Sequence, residues 1–208
     1  MKNLIYPLKS VYNLRNISKF ALLLFVSFSF VNCNNDDDNP VYEPEAVCDT
    51  NNSEFDQLYQ SIVNNNNVDD FWMDLITHSY NFELSANKNL CKIGYQAYPG
   101  ITGSVYKIEL KETASQTVLY SGFHSFSDTS TSYIDAGVTL YAGVEYTISR
   151  SYDPGAFTTD IIGRGVHGPN LSFPANFGDI QILSSNAEGY GGPVVDFCIP
   201  YIDLVFEQ

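Results

Sequence analysis

The sequence predicts an all-β protein, an antiparallel β-sandwich of the jelly-roll or immunoglobulin-like kind with one short N-terminal helix. Many short segments after residue 76 alternate apolar and polar residues, which is typical of half-buried strands. Gly, Asn, Asp or Pro residues separate most of these segments, and no helical pattern recurs between them. The chain is also rich in residues that favour strands, among them 15 Tyr and 14 Phe.

Residues 1–32 predict a signal peptide. A basic segment precedes an apolar run over residues 20–31, and this run is short for a membrane span, which needs ~20 apolar residues. Cys33 directly follows the run and predicts a lipoprotein that is cleaved before Cys33 and acylated on it. The alternatives are an ordinary secretory signal or an uncleaved anchor.

The surroundings of Cys33 resemble the relaxed processing sites of lipoproteins from one large Gram-negative phylum. Phe30-Val31-Asn32-Cys33 departs from the strict lipobox, which prefers Gly or Ala directly before the cysteine. In that group, an acidic run after the cysteine acts as a surface-export signal, and Asp36-Asp37-Asp38 is similar to it. The resemblance implies a lipid-anchored protein of the outer membrane that faces the cell exterior.

Residues 33–52 predict a lipid-anchored acidic tether, and residues 53–208 a single domain. All 24 acidic residues follow Cys33, whereas four of the ten basic residues precede it, so the mature chain carries 24 negative and six positive side chains, a net −18. This charge repels phosphate backbones and anionic headgroups. We therefore expect no nucleic-acid partner, and membrane contact through the acyl chains alone.

The first element of the domain is a predicted helix. Ser53 suits the N-cap, with Asp56 at the capping-box spacing, and residues 64–67 are four Asn that end the helix. One apolar stripe at helical spacing should pack against the sandwich: Phe55, Leu58, Tyr59, Ile62 and Val63.

Strand-like segments follow the helix. They cover residues 77–84, 90–97, 105–111, 117–123, 132–135, 144–150, 179–184 and 197–206. Short strands separated by turns are typical of antiparallel sandwiches.

Residues 80–148 also resemble an uncharacterised β-sandwich domain of secreted bacterial proteins. The similarity lies in Cys91-Lys92-Ile93-Gly94-Tyr95, Tyr106-Lys107-Ile108-Glu109-Leu110, Val118-Leu119-Tyr120-Ser121-Gly122 and Leu140-Tyr141-Ala142-Gly143-Val144-Glu145-Tyr146-Thr147-Ile148. The resemblance implies a sandwich and a surface-associated binding role, and it brings no catalytic residues.

Three cysteines follow Cys33: Cys48, Cys91 and Cys198. Strand alternation predicts that Cys91 and Cys198 both face the core, and an oxidising compartment would permit a disulfide between them. Since no CxxC or Cys/His cluster indicates redox or metal chemistry, we expect two buried thiols rather than that disulfide.

The sequence contains no G-x-S-x-G, P-loop or H-E-x-x-H motif. Residues 163–168 match G-x-G-x-x-G, but the surroundings are strand-like and Pro169 follows, so we expect the glycines to shape a loop. His78, His124 and His167 lie far apart along the chain and should be structural. We therefore expect no enzyme, with a hydrolase the least favoured class.

Residues 151–170 predict a ligand-binding loop, because this is the longest connection without clear strand alternation. It holds Tyr152, Phe157, Arg164 and His167, and aromatic faces beside hydrogen-bonding groups suit a sugar ring or a peptide edge. Equally, Phe157 could pack the loop onto the core.

We expect no metal or cofactor. Asp153 and Asp160 offer at most a Ca²⁺ site, and ordinary loop solubility explains them better because no D-x-D-x-D-G repeat is present. The sequence thus predicts a surface-exposed, non-catalytic binding module, with carbohydrate as the leading ligand by analogy of fold and location. The alternative is a structural subunit that docks on another cell-envelope protein.

Overall fold

The computed structural model describes residues 46–101, 103–152, 162–189 and 191–208, with residues 72–74 described by their backbone alone. In this part of the chain, helix α1 (Glu54–Asn64) precedes the strands. The strands are β1 (Val68–Asp74), β2 (Thr77–Leu84), β3 (Lys88–Tyr95), β4 (Val105–Glu112), β5 (Val118–Ser125), β6 (Ser132–Leu140), β7 (Tyr146–Tyr152), β8 (Ile162–His167), β9 (Ala175–Phe177), β10 (Ile180–Glu188), β11 (Val194–Val195), β12 (Cys198–Pro200) and β13 (Asp203–Phe206).

The strands form three antiparallel sheets. The largest has the order β11-β10-β2-β7-β4-β5, with β9 also paired to β10, and is called here the large sheet. The other two have the orders β13-β3-β6 and β1-β8-β12. Side chains from all three sheets and from α1 meet in one buried core cluster. The predicted all-β sandwich with one helix is confirmed.

Helix α1 forms as predicted. The Ser53 Oγ accepts a hydrogen bond from the Asp56 backbone N–H at 2.9 Å, which caps the helix. Phe55 is fully buried and stacks on Tyr80 of β2 with the ring centres 5.4 Å apart, so the apolar stripe packs on the sandwich as predicted. Within the described residues, no helix combines the length and the apolar character needed to cross a membrane.

The prediction for Cys91 is wrong, because Cys91 forms a disulfide with Cys48. In the pairing of β3 with β13, Cys91 is the extra residue of a β-bulge between Leu90 and Lys92, which breaks the alternation of β3. Leu90 and Ile93 are therefore both buried although they lie three residues apart, and Cys91 points away from the core. The disulfide attaches the end of the predicted tether to the domain. Cys198 is a buried thiol, as predicted.

The prediction of one long loop over residues 151–170 is also wrong. Strand β7 extends to Tyr152, and β8 occupies Ile162–His167. Strand β8 contains two glycines because neighbouring groups approach its backbone too closely to leave room for a side chain. A Cβ on Gly163 would lie 2.2 Å from the His78 Nδ1, and one on Gly165 would lie 3.0 Å from a backbone oxygen of β12. Residues 153–161, with Phe157 and both candidate Ca²⁺ ligands, lie outside the described residues, as does Cys33.

Candidate functional site

Arg164, one of the predicted ligand-binding residues, makes its contacts within the protein. Its Nε and Nη2 donate hydrogen bonds of 3.0 and 2.6 Å to the two carboxylate oxygens of Asp69, and its guanidinium lies 4.4 Å from the centre of the Tyr201 ring. Burial acts to lower the pKa of Arg164, but the hydrogen bonds to Asp69 outweigh this effect and raise it. Arg164 therefore joins β8 to β1 and to the chain after β12.

The structure does not bring Arg164, His167 and Tyr152 together. Arg164 and His167 lie three residues apart in one strand and so face opposite sides of β8. His167 stacks on Phe197 with the ring centres 6.1 Å apart. Tyr152 is half-buried at the end of β7, in a different sheet from β8, on the same face of its strand as the buried Ile148. Phe157 is not among the described residues.

A groove of about 480 Å³ crosses the outer face of the large sheet. Its lining comes from β2, β4, β7 and β10, with one residue from β11. Seven of the fourteen lining residues are Ser or Thr, six are Asn, Lys or Glu, and one is Val. Side chains that donate and accept hydrogen bonds thus form nearly all of the surface of the groove.

Strand alternation explains why the groove is polar. Tyr80 of β2, Ile108 of β4 and Ile148 of β7 are fully buried on the inner face. Their neighbours along each strand, such as Ser79 and Ser149, therefore point outward. The outer face of the large sheet carries the polar half of each of these strands.

The strand pairing arranges most groove residues in three rows that cross the strands, and each row continues onto one residue of β5 beyond the groove lining. The central row contains Val195, Asn186, Ser79, Ser149, Glu109 and Ser121. The Phe123 row, on one side, contains Glu188, Thr77, Ser151, Lys107 and Phe123. The Val118 row, on the other side, contains Ser184, Asn81, Thr147, Lys111 and Val118.

The serine hydroxyls of the central row are oriented by the neighbouring strands. The Ser79 hydroxyl donates to the Asn186 carbonyl oxygen at 3.1 Å, and the Ser149 hydroxyl donates to the Glu109 carbonyl oxygen at 3.4 Å. A serine whose proton is used in this way still has lone pairs that accept hydrogen bonds. The central row therefore presents acceptors to a ligand that carries hydroxyl groups.

Other groove side chains are also held in place by hydrogen bonds. The Asn81 amide donates to Glu145 at 2.8 Å and accepts from the Thr147 hydroxyl at 2.9 Å. The Asn186 amide donates to the Glu188 carboxylate at 2.8 Å. Side chains that are already ordered lose less conformational entropy when a ligand binds. The groove is therefore preorganised at several points.

The groove also carries two of the six positive side chains that follow Cys33. Lys107 forms a hydrogen-bonded ion pair with Glu109, and the Lys111 ammonium donates to the Gln116 amide oxygen at 2.6 Å. The other four are in ion pairs or, for Arg150, fully buried. Lys107 and Lys111 are thus positive groups on the outer face of a strongly acidic chain.

An exposed aromatic ring lies beside the groove. Phe123 of β5 pairs across the strands with Lys107 of β4, and 60% of its surface is exposed. Tyr106 and Ile108, on either side of Lys107 along β4, are buried on the inner face. Lys107 and its partner Phe123 therefore lie on the outer face of the large sheet. Phe123 thus offers a flat apolar surface next to the polar groups of the groove.

The two groove carboxylates do not form a hydrolytic pair. Glu109 lies on β4 and Glu188 on β10, and three strand spacings of ~4.8 Å separate these strands, about 14 Å in all. The two carboxylates of a glycosidase lie ~5–9.5 Å apart. In the described part of the chain, no three His, Cys, Asp or Glu side chains are grouped so that they could hold a metal ion.

The sequence did not predict the groove, although alternation places most of its residues on the outer faces of predicted strands. Ser79, Ser149 and Glu109 alternate with apolar residues in three predicted strands, but these strands are far apart along the chain. Only the pairing of β2 with β7 and of β7 with β4 makes the three residues neighbours. The available signal was an unusual number of Ser, Thr and Asn on the outer faces.

No protein-family model matches the chain, and no curated protein is significantly similar to it. The resemblance of residues 80–148 to a domain of secreted bacterial proteins therefore stays a prediction.

Proposed function

We propose that this chain is a surface-exposed lipoprotein whose β-sandwich is a non-catalytic module for binding carbohydrate. The observation that carries the proposal is the groove of Ser, Thr, Asn, Lys and Glu side chains across the large sheet. The site predicted at Tyr152, Phe157, Arg164 and His167 is not the one we propose, because Arg164 and His167 face opposite sides of β8.

The chemistry of the groove favours sugars over peptides. A sugar has many hydroxyl groups, each of which donates and accepts, and the groove offers hydroxyls, amides, ammonium groups and carboxylates. An extended peptide gains affinity from main-chain hydrogen bonds at a sheet edge and from pockets for its side chains. The groove lies on a sheet face, where the backbone groups of β2 and β7 are already paired on both sides.

Attachment to the membrane is proposed through Cys33. The Cys48–Cys91 disulfide supports this geometry, because it leaves residues 34–47 between the proposed anchor and the domain. Fourteen extended residues span at most about 50 Å.

A glycan array tests the binding proposal. The full mature chain in mild detergent should bind a restricted set of sugars, and Ser149→Tyr should abolish this binding by placing a ring in the centre of the groove. The matched control is Thr139→Tyr, which adds the same ring at an exposed position of β6. Equal binding by the wild type and Ser149→Tyr would exclude the groove as the site.

The anchor is tested separately by cell fractionation. Cys33→Ala should release the protein from the membrane or leave it unprocessed, whereas replacing residues 36–38 by Ala should keep it bound but protect it from external protease. Unchanged membrane partition of Cys33→Ala would contradict the lipoprotein proposal.

The second candidate function is docking on another cell-envelope protein, which the edge strand β5 favours. In the described part of the chain, β5 pairs with β4 alone, and its eight residues carry no charge. Val118, Leu119 and Phe123 of this strand are exposed. Exposed uncharged edges can pair with a strand of another protein. If so, a partner captured from membranes should be lost with Leu119→Lys and kept with Tyr141→Lys, which changes an exposed residue outside β5.

A further inference from the structure

We infer that the groove binds a linear sugar chain of three or more units that lies across the strands, with one unit stacked on Phe123. The inference rests on the proposed function, since it assumes that the ligand is carbohydrate. It adds the direction of the ligand, its minimum length and the residue that binds its far end.

The dimensions of the polar face determine the direction. From β11 to β4 the lining of the groove crosses four strand spacings, about 19 Å at ~4.8 Å each, and β5 with Phe123 lies one spacing further. Along the strands, the three rows are two residues apart, which gives about 14 Å from the first row to the third. The long axis of the face therefore runs across the strands, parallel to the rows.

The centre of the face is its lowest part. Ser79 and Ser149 are adjacent in the central row, and Thr77 and Asn81 border Ser79 along β2 with larger side chains. Along β7, Thr147 borders Ser149 on one side and the equally small Ser151 lies on the other. Ser79 and Ser149 thus form a low strip across β2 and β7, which an extended chain can cross.

The length of the face implies several sugar units. One sugar ring covers only a small part of a polar surface about 19 Å long. Hydrogen bonds to each further sugar unit make the free energy of binding more favourable, while the translational entropy of association is lost only once. Affinity should therefore rise with chain length until the chain spans the groove, and then stay constant.

Phe123 supplies the apolar contact at the β5 end. The ring is 60% exposed and lies directly across from Lys107, whose ammonium group can donate to a sugar hydroxyl. The C–H face of a sugar ring is apolar and packs on a flat aromatic surface. Phe123 and Lys107 together therefore match one sugar unit, with its face on the ring and its edge at the ammonium.

The test measures affinity against chain length by titration calorimetry. The probes are the linear glucose, mannose, xylose and N-acetylglucosamine series, each from one to six units. For the series that binds, affinity should rise about tenfold or more between the disaccharide and the longest probe. Phe123→Ala should lower the affinity for the longest probe about three- to tenfold and leave the disaccharide unaffected. Tyr141→Ala, which removes an equally exposed ring elsewhere, should change neither.

The outcomes separate the inference from the proposed function. Binding that Ser149→Tyr abolishes, but that is equal for one and six units or insensitive to Phe123→Ala, would overturn the inference and leave the proposed function. Absence of binding for every sugar would overturn both. Binding of an extended peptide, abolished by Ser149→Tyr, would identify the occupant as peptide and also overturn both. Since Phe123 is exposed, its variant should unfold at the wild-type temperature, which confirms that the loss is one of contact.

Discussion

The two faces of the large sheet are built by the same strands and have opposite roles. On the inner face, Tyr80, Phe82 and Ile148 are fully buried and contribute to the core. On the outer face, Ser79 and Ser149 lie one residue away from them and line the groove. Substitutions on the inner face should therefore change stability, and substitutions on the outer face should change binding.

Polar groups have different environments on the two faces of the large sheet. Arg150 of β7 is fully buried on the inner face, with its guanidinium 4.6 Å from the centre of the Tyr106 ring. Burial, and then the nearby Arg150, lower the pKa of His78 well below its ordinary value, which favours its neutral form. Buried polar groups must be compensated inside the protein. Most polar side chains of the groove, unlike Arg150 and His78, are at least partly exposed and thus accessible to a ligand.

The largest expected effect is that of Phe82→Ala on the inner face. The Phe82 ring is fully buried between Tyr80 and Tyr146, with ring centres 5.9 and 5.7 Å away. Truncating such a ring should lower the free energy of unfolding by about 3–5 kcal/mol. The control Ser79→Ala, on the outer face of the same strand, removes one hydrogen bond on partly exposed surface and should lower it by about 0.5–1.5 kcal/mol. Denaturant titration of both variants measures this contrast, and similar losses would show that the two faces do not differ.

The two disulfide cysteines should affect stability strongly, unlike most other residues that point away from the core. Cys48 and Cys91 are 43 residues apart, and closing a loop of this length stabilises a domain by about 4 kcal/mol in the chain-entropy model. Replacing both cysteines by Ser should lower the denaturant midpoint and leave sugar binding unchanged, because β3 lies in a different sheet from the groove. An unchanged midpoint would show that the disulfide restricts the unfolded chain little.

The buried carboxylate of Asp203 should make stability depend on pH. Its two oxygens accept hydrogen bonds from the Ser53 hydroxyl at 2.5 Å and the Tyr133 hydroxyl at 2.9 Å. Burial raises the pKa of Asp203 from 3.8 to about 6, and Asp56 adds to this, while the two hydroxyl groups act against it. Between these pH values the folded state binds more protons than the unfolded state, so the free energy of unfolding falls as the pH rises.

The size of this effect follows from the pKa shift. Stabilisation by a protonated Asp203 should be fully present below pH 4 and lost above pH 6, a difference of about 3 kcal/mol. Asp203→Asn cannot ionise, and its amide can accept from Tyr133 and donate to Ser53. Subtracting the pH profile of this variant from that of the wild type isolates Asp203 from the other carboxylates. A difference that does not change between pH 4 and 7 would contradict the raised pKa.

Local signals in the sequence account for much of this fold. Ser53 and Asp56 predict the start of α1, and the alternation in residues 77–84 predicts β2 with its inner and outer faces. The predictions fail where a contact between residues far apart in the chain determines the local structure. The bulge in β3 reverses the direction of Cys91, and the close approach of His78 requires a glycine at Gly163 within a strand. Neither effect has a signature in the neighbouring residues.

The candidate site was less predictable than the fold, for a related reason. Alternation identifies which side chains face outward, but a groove depends on which strands are neighbours. The central row joins Asn186, Ser79, Ser149 and Glu109, which come from four strands in an order unrelated to that of the chain. Long-range pairing is therefore the information that sequence reasoning lacked.

The smallest expected effect on stability is also the most specific test of the outer face. Asn81 lies in the groove and bonds to Glu145 and Thr147, while Thr113 bonds to Thr147 at 2.9 Å from outside the groove. Both Asn81→Ala and Thr113→Ala break hydrogen bonds on partly exposed surface, so each should lower the free energy of unfolding by about 0.5–1.5 kcal/mol.

Binding should separate the two variants. Asn81→Ala removes a donor and an acceptor from the groove and should weaken sugar binding several-fold in calorimetry, whereas Thr113→Ala should bind like the wild type. Because both variants lose a hydrogen bond to Thr147, any difference in affinity comes from the position of Asn81 in the groove and not from loosening of the sheet. Equal affinities for the two variants would mean that the Asn81 network serves the fold of the outer face alone, and the ligand would then contact the strip of Ser79 and Ser149 without it.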